Sequence, residues 1–315
     1  MRVFITGGTG FIGRHLVRRL TRLQHEVVVL TRRAIGNPAE FGFADGVRMV
    51  AYQPERAFDA IRAMTPGSED CFLHLAWYAE PGKYLTSSEN IDCTLGSLSL
   101  VRDLIASGVG HFVMAGTCLE YDIRLGWLTE DAPTRPETLY AKAKLAVSDL
   151  ARALAIGSGT RVAVARIFHL YGPGEDDRRV VPGAVKRLAA GERFATTSGY
   201  QVRDFSHVED VAGAFAAIVE RRGEGVFNIA SGEPISLRSL VGKIGEFLGR
   251  AELIDFGAIP MRPDEPECLC GSNARLRGLG WRPEHNLDKR LRQYVESLAL
   301  SHPATSPRTR QPESA

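Results

Sequence analysis

The stretch VFITGGTGFIGRHL, residues 3–16, decides the fold. Its opening residues form a short apolar run of strand type. From Phe11 to Leu23, Ile12, Leu16, Leu20 and Leu23 fall on one helical stripe. Between strand and helix stand Gly7, Gly10 and Gly13, spaced GxxGxxG. Glycines there permit a tight turn, close approach of a pyrophosphate, and close packing of helix on sheet. The anion then rests on the helix N-terminus, where unpaired N–H groups and the helix dipole favour negative charge. A glycine pattern alone is weak evidence. One that follows a strand, opens a helix and starts at residue 7 points to a dinucleotide-binding unit, with Thr9, Phe11 and Ile12 joining the glycines around the cofactor.

Further strand-like runs follow: EVVVLT (26–31), VRMVAY (47–52), CFLHLA (71–76), HFVMAGT (111–117) and RVAVARIFHLY (161–171). Helical stretches at about 56–64, 89–107 and 137–156 separate them. Strands alternating with helices of this length imply crossover units and a parallel sheet. The fold class expected is therefore α/β, a doubly wound parallel-sheet Rossmann domain over residues 1–170, with 205–222 returning to it. After LYGPG at 170–174 the segments become shorter and richer in Gly, Pro, Arg and Glu. Residues 171–300 are read as a smaller, mostly helical substrate lobe, and the proline-containing 301–315 as a disordered tail.

Composition narrows the class. A chain of 315 residues, 44% hydrophobic, can bury a full core, and a formal charge of +2 gives no general pull toward nucleic acid or an anionic membrane. The apolar runs are strand-length, and the chain passes from Met1 straight into a strand, so neither a membrane span nor a signal peptide is expected and the location expected is cytoplasmic. The five cysteines, at 71, 93, 118, 268 and 270, make no pair of CxxC units, and the lone CxC has no nearby partner ligands. No metal site is expected.

Cofactor choice turns on the end of the second strand. An acidic residue there would hold the ribose hydroxyls of NAD(H), but the chain reads VVVLTRR, with Thr31 in that place and Arg32 and Arg33 following. Guanidinium groups suit a 2′-phosphate, which favours NADP(H) and leaves NAD(H) possible.

TGGTGFIG (6–13), HLA (74–76), Asn90, AGTCLEY (115–121), YAKAK (140–144) and LYGPG (170–174) occur in one order, followed by RDFSHVEDVAGA (203–214), FNIASGEPISLRSL (227–240) and GLGWRP (278–283). Over about residues 1–295 the chain resembles the extended short-chain dehydrogenase/reductase family, in its nucleotide-sugar epimerase, dehydratase and reductase group. The resemblance implies that Tyr140 and Lys144 are the family's YxxxK pair, that Thr117 is its Ser/Thr hydroxyl, and that Lys144 also hydrogen-bonds the nicotinamide ribose. Asp122 stands where glycine is usual. Physics agrees with the pair: residues i and i+4 share a helical face, and an ammonium beside a phenol of ordinary pKa about 10 lowers that pKa toward working pH. Lys142 falls off that face and is left to solvent.

The same resemblance places Leu75, Ala76, Asn90, Tyr140, Lys144 and Phe168 around the cofactor. It places Arg203 and Arg262 on a nucleotide diphosphate, and His169 at a position where relatives usually carry Asn. Trp77, Tyr78 and Tyr84 would then lie near the nicotinamide end, either shaping a substrate pocket for an apolar sugar face or packing in the core, and Cys118 beside Thr117 is either a substrate contact or a small packed thiol. Asp204 and Asp210 read as structural, fixing a loop and capping the helix that begins near Val208. A homodimer through the helices near 89–107 and 137–156 is also implied.

Residue types next to Thr117 narrow the chemistry. A 4,6-dehydratase would carry Asp-Glu directly after it, where Cys118 and Leu119 stand. A fucose-synthase-like epimerase would need cysteine at 119 and a histidine after LYGPG, where the chain reads EDDRRVV. What remains is 4-keto reduction of a nucleotide sugar (or its reverse) or 4-epimerisation with bound NAD, and the arginines favour reduction. A redox-silent dinucleotide sensor is a third reading, disfavoured because Tyr140 and Lys144 are both kept.

Overall fold

The computed structural model describes residues 1–32 and 37–301, so Arg33 and all but the first residue of the 301–315 tail lie outside the described residues. Seven strands form one sheet: β1 (Arg2–Thr6), β2 (Glu26–Thr31), β3 (Arg48–Ala51), β4 (Cys71–His74), β5 (His111–Thr117), β6 (Arg161–Ile167) and β7 (Gly225–Ile229). Their order is β7-β6-β5-β4-β1-β2-β3, and all pairings are parallel. β4 and β5 are buried along their whole length, as unbroken apolar runs covered on both faces should be.

The longer helices are α1 (Phe11–Arg22), α2 (Glu89–Ala106), α3 (Leu139–Ala155), α4 (Val180–Ala189), α5 (Val208–Glu220), α6 (Leu237–Leu248) and α7 (Leu287–Ser301). Alternation along β1 shows how the layers form. Val3 and Ile5 pack with Leu16 and Leu20 of α1 and with Val211 and Phe215 of α5, while Phe4 points to the other face, toward Leu100 and Leu104 of α2 and Val147 of α3. The chain goes one way from β1 to β2 and β3, then returns to β4 on the opposite side. The strand order therefore reverses between β1 and β4, and a crevice opens above their carboxyl ends.

The sheet's seventh strand comes from a segment read from sequence as part of the second lobe. In that lobe, α4, α6 and α7 enclose an apolar cluster that includes Val185, Leu188, Leu240, Ile244, Leu291 and Val295. Helices dominate, but a mixed sheet is present as well: Val202–His207 pairs in parallel with His169–Tyr171 and Cys268–Gly271, and antiparallel with Pro234–Ser236. The run RVAVARIFHLY is accordingly two strands, which change sheets at Phe168, whose N–H donates to the Ile229 carbonyl at 3.0 Å. His207, rather than an aspartate, caps α5, its ring nitrogen accepting from the Glu209 N–H at 3.3 Å. Asp204 does fix a loop, accepting from the Ser231 and Gly232 N–H groups at 2.6 and 2.9 Å. Asp210 ties α5 to the chain before α7 by accepting from the Glu284 N–H at 3.0 Å. Among the described residues, no helix is long and apolar enough to cross a membrane, and no group of His, Cys, Asp and Glu is placed to hold a metal ion.

Candidate active site

The glycine loop is shaped for close contact. Gly7 has φ +73°, and a Cβ there would lie 2.7 Å from the Ala76 amide nitrogen. A Cβ at Gly13 would lie 2.1 Å from the Gly7 carbonyl oxygen, so helix and loop can approach only because the side chain is missing. α1 opens at Gly10 with no side-chain cap and no acidic residue in its first turn. Its free N–H groups and positive dipole end are thus left for an anion. This cradle and its donors fit the pyrophosphate of a dinucleotide.

A cleft of about 1370 Å³ runs from this loop toward the second lobe. Of the residues expected at the cofactor, Gly7, Thr9, Gly10, Phe11, Ile12, Gly13, Thr31, Arg32, Leu75, Ala76 and Phe168 line it. Of those expected at the substrate, Thr117, Cys118, Trp77, His169 and Arg262 line it as well. Asn90 does not. It is fully buried, its Oδ1 accepts from the Trp77 indole at 2.8 Å, and its amide nitrogen donates to the Tyr84 and Ser87 carbonyls at 2.7 and 2.8 Å, so it braces the loop after β4. Tyr78 is also off the lining, donating to Glu80 at 2.9 Å; Tyr84 takes the place at the cleft. Arg203 is buried, donates to the Val202 carbonyl at 2.8 Å and pairs with Glu265, so its guanidinium is spent inside the lobe.

Beside the cleft stand Tyr140, half-buried, and Lys144, buried. Thr138 caps α3 by accepting from the Ala141 N–H at 3.2 Å, and the Tyr140 N–H donates to the Leu85 carbonyl at 3.1 Å, which fixes the start of the helix against the loop. The Tyr140 ring meets Tyr84 edge-on at 4.8 Å and Trp77 at 6.4 Å. Burial first, and then Tyr84, push its phenol above the ordinary tyrosine value, with the Thr117 hydroxyl opposing. The expected lowering by Lys144 is not what the geometry gives. The Lys144 ammonium donates to the Ala115 carbonyl at 2.9 Å and sits 3.9 Å from the centre of the Trp77 ring, and burial lowers it to about 8. His74, behind it, is held between Thr6 at 2.7 Å and Ser97 at 2.8 Å, and burial drops it to about 3, so it stays neutral.

The groups beside Thr117 are chemically quiet. Cys118 is buried against Tyr121, Leu128 and Phe168, and burial lifts its thiol to about 12, so it carries no thiolate at neutral pH. The two thiols of the CxC, Cys268 and Cys270, lie 3.7 Å apart.

Two carboxylates were missed in the sequence. Glu120 is fully buried behind Thr117; its Oε1 accepts from the Thr117 N–H at 2.8 Å and its Oε2 from Arg166 Nε at 2.7 Å. The signature Thr-x-x-Glu at 117–120, a capping box, was there to be read. Glu175 lines the cleft; its Oε2 is buried without a hydrogen-bond partner, and burial raises the carboxyl to about 8, with Arg179 opposing. A group whose folded-state pKa is raised binds an extra proton on folding, so its contribution is complete in acid and is lost as pH rises from about 4.5 through 8. Glu175→Gln should remove that loss, worth on the order of a few kcal/mol. Urea midpoints at pH 5 and pH 8.5 would differ less in the variant than in the wild type; equal differences would show that Glu175 is ionised throughout.

A model of the NAD dependent epimerase/dehydratase family matches residues 3–230. The chain belongs to that family. It is an enzyme of the extended short-chain dehydrogenase/reductase group, and the redox-silent reading gives way. Among its relatives, a UDP-glucose 4-epimerase of Corynebacterium glutamicum is 26% identical over 90% of this chain and 92% of its own length. A GDP-6-deoxy-D-mannose reductase of Pseudomonas aeruginosa is 28% identical over 92% and 95%. Among solved structures, the Thermus thermophilus UDP-glucose 4-epimerase in complex with NAD superimposes with a TM-score of 0.81 at 27% identity, covering 95% of this chain and 99% of that one. Family members thus include epimerases and reductases acting on nucleotide sugars, and a structural neighbour binds NAD.

Proposed function

We propose that this enzyme reduces the 4-keto group of a nucleotide-diphosphate 6-deoxy sugar, or runs the reverse oxidation, with NADPH as the favoured cofactor. The observation that carries the reading is a cleft lined by Thr117, Cys118, Leu119, Trp77 and Tyr84, with the Tyr140 ring edge-on against the last two. When bound, a nicotinamide cofactor supplies the hydride chemistry. The protein's own part is to hold the carbonyl oxygen against the Thr117 hydroxyl and to give it the Tyr140 proton, while Lys144 provides positive charge behind them. Reduction calls for a protonated phenol, which is the state that burial favours. No carboxyl stands at 118 or 119 to remove water or a carbon-bound proton. Arg262 at the cleft is the candidate for the diphosphate; Arg203 could serve only if its pair with Glu265 opened.

A second reading, 4-epimerisation with retained NAD, is supported by the likeness to the Thermus epimerase complex and needs the same three side chains. Incubation with a dTDP-4-keto-6-deoxy sugar separates the two. Loss of NADPH absorbance supports the reductase; no loss with any keto sugar, together with inversion at C4 of an intact sugar nucleotide, supports the epimerase. Arg32 lines the cleft at the end of β2, so Arg32→Ala should raise the KM for NADPH by about tenfold or more, as loss of one charge-assisted bond would, and leave that for NADH unchanged. Equal effects on both cofactors would remove the 2′-phosphate assignment. Exposed Ile91 and Leu95 on α2 and Leu150 and Leu154 on α3 support a homodimer through these helices.

A further inference from the structure

We propose that Trp77 is a positioning residue for Lys144, its indole fixed by Asn90 so that the ring face holds the buried ammonium in place beside Tyr140. The inference rests on the reading of Tyr140 and Lys144 as the catalytic pair. An ammonium has three N–H donors. In this site one goes to the Ala115 carbonyl, and the ring face of Trp77 lies 3.9 Å from the nitrogen. The ring cannot turn freely, because its Nε1 donates to Asn90 Oδ1 at 2.8 Å and Asn90 is itself fully buried and tied to the backbone at Tyr84 and Ser87. The same indole meets the Tyr140 ring edge-on. Asn90, Trp77, Lys144 and Tyr140 therefore form one contiguous unit spanning α2, the loop after β4, and α3.

The energetic need is plain. Lys144 is 3% exposed, and burial works against its charge. The charged and titratable groups around it are few. Glu120 after β5 favours the ammonium and is shared with Arg166 on β6; Cys93 on α2 is a thiol that burial keeps protonated, and His74 on β4 is neutral. A desolvated cation over an indole face is stabilised more than one in water, because no solvent competes for the ring's negative face. Removing the ring should lower the ammonium's pKa further, so that the charge is lost at lower pH.

The test uses the full-length enzyme, with Trp77→Phe, Trp77→Leu and Lys144→Met. In the wild type, the alkaline fall of kcat/KM should follow loss of the Lys144 charge. Trp77→Leu should move that fall down by about one pH unit, since a desolvated cation–π contact of this kind corresponds to about that shift. Trp77→Phe, which keeps a ring face but loses the Asn90 bond, should restore part of it. Independently of turnover, the tryptophan emission of the enzyme alone should titrate with a midpoint near that of Lys144, and both Trp77→Phe and Lys144→Met should abolish the transition. An unchanged alkaline limb in both Trp77 variants, or an emission titration that survives in Lys144→Met, overturns the proposal. If Trp77→Leu does not fold, Trp77→Phe and the emission of Lys144→Met still decide. Full turnover in Lys144→Met with its emission transition abolished would instead sink the catalytic reading and leave the Trp77–Lys144 contact standing.

Discussion

Tyr140→Phe is expected to lower kcat by roughly 10²–10⁴-fold, the usual worth of a positioned general acid, with cofactor affinity unchanged. The substitution removes one oxygen. The ring contacts with Tyr84 and Trp77 remain, and the helix start is held by the backbone bond to Leu85 and by the Thr138 cap, none of which involves the phenol. What disappears is the phenol O–H, the proton donor of the proposed reaction. Rapid-mixing single turnovers, which follow chemistry without product release, and a direct cofactor titration would separate the two effects. A variant that keeps more than a tenth of the wild-type rate would mean that the proton comes from elsewhere, and Glu175, which lines the cleft and whose carboxyl burial raises to about 8, would be the next group to remove. A variant that loses cofactor as well would place Tyr140 in binding rather than chemistry.

How far the sequence could carry this site depended on whether each signal was local. The glycine loop was legible because strand, turn and helix signals lie within fourteen residues, 3–16. The sheet was legible because its strands are continuous apolar runs. The second lobe's strands were not, since Trp127–Leu128 or Pro234–Ser236 are too short to show a period of two. Partners distant in sequence escaped for a different reason. An arginine in RDFSH shows its charge, but only the fold shows that Arg203 is already paired with Glu265. Helical spacing correctly placed Tyr140 and Lys144 on one face. It could not say where a four-carbon side chain ends, and here the ammonium turns to Ala115 and Trp77 while burial sets the direction of the phenol's shift. Glu175 looked like one more solvated charge in EDDRRVV; its burial comes from the loop being folded into the cleft wall.

Glu120→Ala should be the most destabilising change near the site that leaves every expected catalytic side chain in place. Removing one member of a buried ion pair costs about 3–5 kcal/mol, because the other charge is left without compensation. Here the survivor would be Arg166, 3% exposed, with the Tyr121 ring 4.1 Å from its guanidinium and, among the described residues, no second ion-pair partner. A guanidinium cannot shed its proton to escape. The reverse change is milder. In Arg166→Met the survivor is Glu120, which burial already pushes upward and which can become neutral by taking a proton. Urea unfolding should therefore rank the variants with Glu120→Ala weakest, Arg166→Met intermediate, and the double variant better than the sum of the two losses, since the pair is removed together. Equal costs for the two single variants would show that Glu120 is neutral in the folded enzyme and that the pair is not ionic. Activity adds a second reading. The Glu120 carboxylate holds the Thr117 N–H at 2.8 Å, so its loss frees the backbone that carries the Thr117 hydroxyl. The folded fraction of Glu120→Ala should show a reduced kcat with cofactor binding retained, because the glycine loop that cradles the cofactor lies after β1 and shares no hydrogen bond with the capping box after β5.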